Sequence, residues 1–102
     1  MADQDTVRRL ALSMPDVEER PSYGTPAFFT KRKLFARLLD EDDCVVVKIE
    51  PGDRDRRMKA DPDTFFITDH YQNYPMMIIR LSSVGAADLR ELLNGAWQHA
   101  TQ

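Results

Sequence analysis

Val7, Leu10, Ala11 and Met14 recur at the 3.6-residue period of one helix face and predict a helix over residues 3–14. Asp3 or Asp5 can cap its start, and Pro15 ends it. The clearest helical stripe lies at the other end of the chain. Leu89, Leu92, Leu93, Ala96 and Trp97 share one face of a helix over 86–100, with Asp88 and Glu91 near its start and Ser83 or Gly85 as its cap. Trp97 is expected to close the core, and His99 to be solvated near a frayed end.

Between the helices the period shortens to that of strands. Ala27–Thr30 and Leu34–Leu39 read as a hairpin turning at Lys31-Arg32-Lys33. In its second strand Leu34, Ala36 and Leu38 alternate with Phe35, Arg37 and Leu39. Arg37 thus stands among apolar neighbours, on a face that is partly covered or opens as a cleft. Cys44–Ile49 is a third strand. Phe65–Ile67 and Met76–Leu81 are two more, joined by the loop Asp69-His70-Tyr71-Gln72-Asn73-Tyr74-Pro75. Pro51–Ala60 reads as a short, polar helix with Pro51 at its first turn and Met58 and Ala60 as its apolar surface. Asp16–Pro26, with Pro21, Gly24 and Pro26, reads as a linker.

The order helix, three strands, short helix, two strands, helix predicts an α+β fold. It is a two-layer domain in which a twisted antiparallel sheet of about five strands packs against the N- and C-terminal helices. The 102 residues suffice for one core, so a single domain over 1–102 is expected.

Composition adds exclusions. With 42% hydrophobic and 30% charged residues the chain has a soluble globular balance, and no apolar run approaches a bilayer span. The N-terminus carries acids and lacks the apolar stretch of a signal peptide, so a cytoplasmic location is expected by default. A monomer without membrane association is expected. The net charge of −3 argues against coating nucleic acid through overall charge, though not against a local basic patch. Cys44 is the sole cysteine and, beside Val45-Val46-Val47, reads as a small buried hydrophobe.

No reaction is written in the motifs. The four glycines form no phosphate loop, no Cys/His pair has zinc spacing, and Asp69 beside His70 is not a triad. Asp40-Glu41-Asp42-Asp43 lacks the spacing and glycine of a calcium loop and reads as a solvated hairpin tip. No cofactor, metal or catalytic residue is assigned, and an ordinary enzyme is not supported. The loop after Ile67 spends a histidine and two tyrosines where small residues would turn the chain. Those rings either fold back as lids on the core or form a site. Lys31-Arg32-Lys33 either solvates a hairpin tip or meets phosphate.

Four stretches together resemble the MmcQ/YjbR family: VRRLALSMPDVEE, SYGTPAFFTKRKLFARL, ADPDTFFITDHYQNYPMMIIRL and DLRELLNGAW. The resemblance spans nearly the whole chain, and SYGTPAF and TDHYQNYP are its most specific segments. It implies a CyaY-like arrangement and a DNA-binding role through hairpin wings, with no established reaction or cofactor. Carried onto this chain, the nucleic-acid-binding residues would be Lys31, Arg32, Lys33 and Arg37, with Arg54 and Arg57 from the short helix, and the partner double-stranded DNA. The acidic tip Asp40–Asp43 would have to face away from it. The alternative is a module that binds a small ligand or a protein in an aromatic cleft formed by Tyr23, His70, Tyr71 and Tyr74.

Overall fold

The structure, a computed structural model, describes residues 2–39 and 43–101. The elements run α1 (Gln4–Leu12), β1 (Val17–Ser22), β2 (Thr25–Thr30), β3 (Lys33–Leu38), β4 (Cys44–Lys48), α2 (Pro51–Ala60), β5 (Phe65–Phe66), a 3-10 turn (Asp69–Tyr71), β6 (Met76–Arg80) and α3 (Ala86–Thr101). Every strand pair is antiparallel, and the sheet order is β1-β2-β3-β4-β6-β5.

The expected α+β two-layer architecture is present, with six strands rather than about five. The extra strand is β1, in the stretch expected to be a linker. Pro21 is tolerated there because β1 is an edge strand: it pairs only with β2, opposite Pro26, and needs no donor on its open side. Tyr23 and Gly24 both have positive φ (53° and 84°), as a two-residue hairpin turn requires. The next turn is equally tight. Lys31 and Arg32 have φ of 51° and 69°, and Lys33 already opens β3.

A register irregularity at Phe28/Phe29 breaks the expected alternation in β3. Phe28 pairs with Ala36 and Phe29 with Leu34, so Phe35 is the extra residue. It joins Ala36 and Leu38 in the core instead of sharing a face with Arg37.

The helices cover one face of the sheet. Phe28, Phe35, Leu38, Val45, Val47, Met77 and Ile79 pack there with Val7 and Ala11 of α1 and Leu89, Leu93 and Ala96 of α3. At roughly 1.5–3 kcal/mol per fully buried large apolar side chain, this layer is the main source of stability. Asp3 caps α1, its Oδ1 accepting from the Thr6 amide at 2.9 Å and the Thr6 hydroxyl at 2.8 Å. Those bonds hold its carboxyl below the ordinary aspartate value. Trp97 packs against the core and donates from Nε1 to the Pro15 carbonyl at 3.0 Å, which ties α3 to the end of α1. His99 is half-buried rather than solvated, and Ala60 is exposed, leaving Met58 as the apolar contact of α2.

Among the described residues, no helix covers the opposite face. One register row crosses all six strands there: Arg20, Ala27, Arg37, Val46, Ile78, Phe66. Cys44, Val46 and Ile78 form a second, smaller apolar cluster on this face, with Leu39, Phe66, Tyr71 and Met76 against it. Of the acidic tip, residues 40–42 lie outside the described residues. Asp43 accepts from the Ser82 hydroxyl at 2.6 Å and from the Leu81 amide at 2.6 Å, so it is tied to the end of β6 rather than solvated.

Candidate functional site

Arg37 lies at the middle of the helix-free face because its two inward neighbours, Ala36 and Leu38, fill the core. Its Nη1 donates to the Thr25 hydroxyl at 2.8 Å and its Nη2 to the Tyr71 hydroxyl at 3.0 Å. The Tyr23 ring lies 5.6 Å from the guanidinium carbon, within cation–π range. Tyr23 is otherwise 92% exposed. These partners come from the β1–β2 turn, from β2 and from the 3-10 turn, all converging on β3.

Arg37 is half-buried and makes no ion pair among the described residues. The hydroxyls beside it are neutral. A guanidinium has five N–H donors, and bonds to the described residues use two of them here. Because the Tyr71 oxygen accepts from Arg37, its own hydrogen points away and remains available to a third group. Arg37 and Tyr71 therefore form a positively charged donor set, buttressed by Thr25, whose own hydroxyl donates to the Ser22 carbonyl at 3.3 Å, and no carboxylate among the described residues pairs with the guanidinium.

A second arginine sets the position of Tyr71. Arg54 of α2 donates from Nη1 to the carbonyls of Tyr71 (3.2 Å), Tyr74 (2.7 Å) and Met76 (3.2 Å), and from Nη2 to that of Gln72 (3.4 Å). One guanidinium thus gathers the entire loop between the 3-10 turn and β6. Its Nε is buried with no hydrogen-bond partner among the described residues. The loop residues then diverge. Tyr71 packs onto the outer apolar cluster, so it is both lid and ligand of Arg37. His70 meets Tyr71 edge-on with ring centroids 4.7 Å apart, and Tyr74 at 6.1 Å. Tyr74 is 57% exposed and lies off the sheet.

Beside Tyr71 a cleft of about 470 Å³ opens over the outer cluster. Leu39, Cys44, Phe66 and Ile78 line it, together with His70, Tyr71, Asp43 and Arg80, the last directly opposite Cys44 in the sheet register. Its size falls within the roughly 300–1,000 Å³ of small-molecule sites. Arg80 stacks over Phe66 at 5.0 Å and donates from Nε to the Asp63 carbonyl at 2.9 Å. A separate hollow of about 430 Å³ lies between α2 and α3, but its arginines are already paired, Arg56 with Asp53 and Arg57 with Glu91.

Two of the three aromatic residues of the cleft's named loop, His70 and Tyr71, and Tyr23 therefore share the Arg37 face; Tyr74 stays outside. The basic residues separate. Arg57 is tied to Asp88 (3.5 Å) and Glu91 (3.1 Å) of α3 and lies over Phe65, on the helical side. Arg54 is engaged by the loop. Lys31 and Arg32 are exposed at the far hairpin tip beside Asp16 and Glu18, and Arg32 is five residues along the chain from Arg37, roughly 17 Å at strand rise. Lys33 starts β3 at the same end. The sequence reading missed Thr25, Leu39, Phe66, Ile78 and Arg80. Thr25 follows a Tyr-Gly pair that signals a tight turn, which was the available clue. The others carry no local signal.

The YjbR family model matches residues 12–99, which include every element of this face. The chain belongs to the YjbR family. It is similar to uncharacterised proteins of Mycobacterium bovis and Mycobacterium tuberculosis, 32% identical over 95% of this chain and 87% of theirs. Its fold is that of the Deinococcus radiodurans protein DR2400, whose crystal structure carries a DUF419 domain. The TM-score is 0.88 at 21% identity, covering 100% of this chain and 80% of that one. For this YjbR protein the relatives supply a fold and no reaction, so function rests on the Arg37 face.

Proposed function

We propose that this YjbR domain is a binding module for a small anionic ligand, held on the helix-free face of the sheet at Arg37. The observation that carries the reading is the half-buried Arg37 guanidinium, fixed by Thr25 and Tyr71 and paired with no carboxylate among the described residues. Burying a cation in part without a counter-ion is costly, and an incoming anion relieves that cost with charge-assisted hydrogen bonds. Tyr23 and Tyr71 flank the guanidinium, so a planar group can enter between rings. The test is calorimetric titration of acetate and of inorganic phosphate into the wild-type protein and an Arg37→Met variant at constant ionic strength. Binding by the wild type and none by the variant supports the reading; equal heats from both proteins sink it.

A second reading, binding of double-stranded DNA, is favoured by the exposed Lys31-Arg32 tip at the end of the β2–β3 hairpin. It has less support. Asp16 and Glu18 flank that tip, and Arg54 and Arg57 are engaged within the fold. It requires duplex affinity whose logarithm falls with that of the salt concentration. Absence of duplex binding at low salt removes it.

A further inference from the structure

The Arg37 site adjoins the cleft through Tyr71, which accepts from Arg37 and lines the cleft. Leu39 is the next residue after Leu38 on the chain and returns to the outer face, where it begins the cleft floor. Cys44 and Ile78 extend that floor toward Phe66. From Arg37 to Ile78 the register row crosses two strand spacings, roughly 10 Å. Among the described residues neither Arg37 nor Arg80 makes an ion pair, but Arg80 shares the cleft lining with the Asp43 carboxylate and spends its Nε on the Asp63 carbonyl. A dianion seated at Arg37 would bring its second charge toward the Asp43 carboxylate. A neutral apolar compound would leave the Arg37 donors unmatched. The match is a single planar acid group attached to an apolar body.

We infer that the ligand is a monocarboxylic acid with a compact aliphatic or aryl body. Its carboxylate accepts from the Arg37 guanidinium and the Tyr71 hydroxyl, and its body lies over Leu39, Cys44 and Ile78 along the Tyr71 ring. This rests on the anion-site reading and adds the part of the ligand that reading leaves open. A planar carboxylate suits the guanidinium fork, which presents parallel N–H groups. The body gains by displacing water from an apolar floor already built against the sheet.

The test uses 4-phenylbutyrate, the neutral 4-phenyl-1-butanol and acetate as probes of the full chain, followed by amide chemical-shift titration. The acid is expected to bind at least tenfold more tightly than either the alcohol or acetate. Its perturbations are expected at Leu39, Cys44, Phe66 and Ile78 as well as at Arg37. A Leu39→Glu variant is expected to lose at least tenfold in affinity for the acid. If acetate and 4-phenylbutyrate bind equally and perturb Arg37 alone, the groove is not the seat of the body; the inference falls and the anion site stands. If the alcohol binds as tightly as the acid, carboxylate recognition is overturned. If no probe perturbs Arg37, both readings fall together. The three-probe comparison on the wild type decides the matter even if Leu39→Glu fails to fold.

Discussion

The Tyr71 hydroxyl accepts a hydrogen bond from Arg37 Nη2 at 3.0 Å, joining the 3-10 turn to a strand two positions away in the sheet. That bond orders the site, and it isolates the hydroxyl's role from the ring's. Tyr71→Phe keeps the ring on the outer cluster and removes only the acceptor. The variant is expected to lose about 0.5–1.5 kcal/mol in urea unfolding, the ordinary worth of such a bond. Anion affinity at Arg37 is expected to fall several-fold, because the guanidinium loses one anchor and the ligand one donor.

Arg54 is the organiser of the loop that carries Tyr71. Arg54→Met leaves four carbonyls to find other partners, and a cost of about 2–3 kcal/mol is expected from hydrogen bonds to a charged group. Faster amide hydrogen exchange over residues 71–76 is the accompanying signature. Arg54→Lys is expected to recover little, since a compact ammonium cannot span carbonyls spread along the loop.

At the far hairpin tip, Lys31 and Arg32 both hold the left-handed backbone that Asn-Gly adopts readily. Replacing the pair with Asn-Gly is expected to stabilise the fold by about 1 kcal/mol while removing two exposed cations. This variant therefore separates the DNA reading from folding defects. Unchanged duplex affinity in the stabilised protein excludes the tip as a phosphate contact; a shallower salt dependence supports it.

Acid stability carries a signature of Asp3. Its carboxyl titrates lower in the folded chain because the Thr6 amide and hydroxyl donate to the charged form. A depressed folded value means that the contribution is fully present above the unfolded aspartate value, about pH 4. It is lost as pH falls through the folded value. Asp3→Asn keeps a capping oxygen but not the titration, so its urea midpoint is expected to change less between pH 5 and pH 3 than that of the wild type (about the range in which aspartates titrate).

The helices and the core strands were legible because burial imposes a period on them. Leu89, Leu93 and Ala96 face the sheet as their spacing indicates. β1 was not legible. An edge strand exposed along Glu18, Glu19, Arg20 and Pro21 has no buried face to write an alternation, and its proline reads as a breaker. Phe35 misled for a related reason: one extra residue at an irregular register inverts a two-residue period. The site was half legible. Arg37 stood out as a charge among apolar residues, and Tyr71 as an aromatic in a loop. Arg54 stood out only as a cation for phosphate, and its hold on the loop was not legible, because a side chain that binds backbone carbonyls leaves no pattern in their residue types. Nor did Phe66 and Ile78, whose outward side looks like any other strand residue until the missing helix layer is seen.

The central claim is that Arg37 receives an anion, and the arginine side chains themselves report on it. In a titration with acetate at constant ionic strength, the Nε–Hε resonance of Arg37 is expected to shift and saturate. That of Arg54, whose Nε is buried and whose remaining nitrogens hold the loop, serves as the internal control and is expected to stay in place. A saturable shift at Arg37 alone is the result that anion binding requires. An unmoved Arg37 resonance, or a drift shared equally by both arginines, contradicts it.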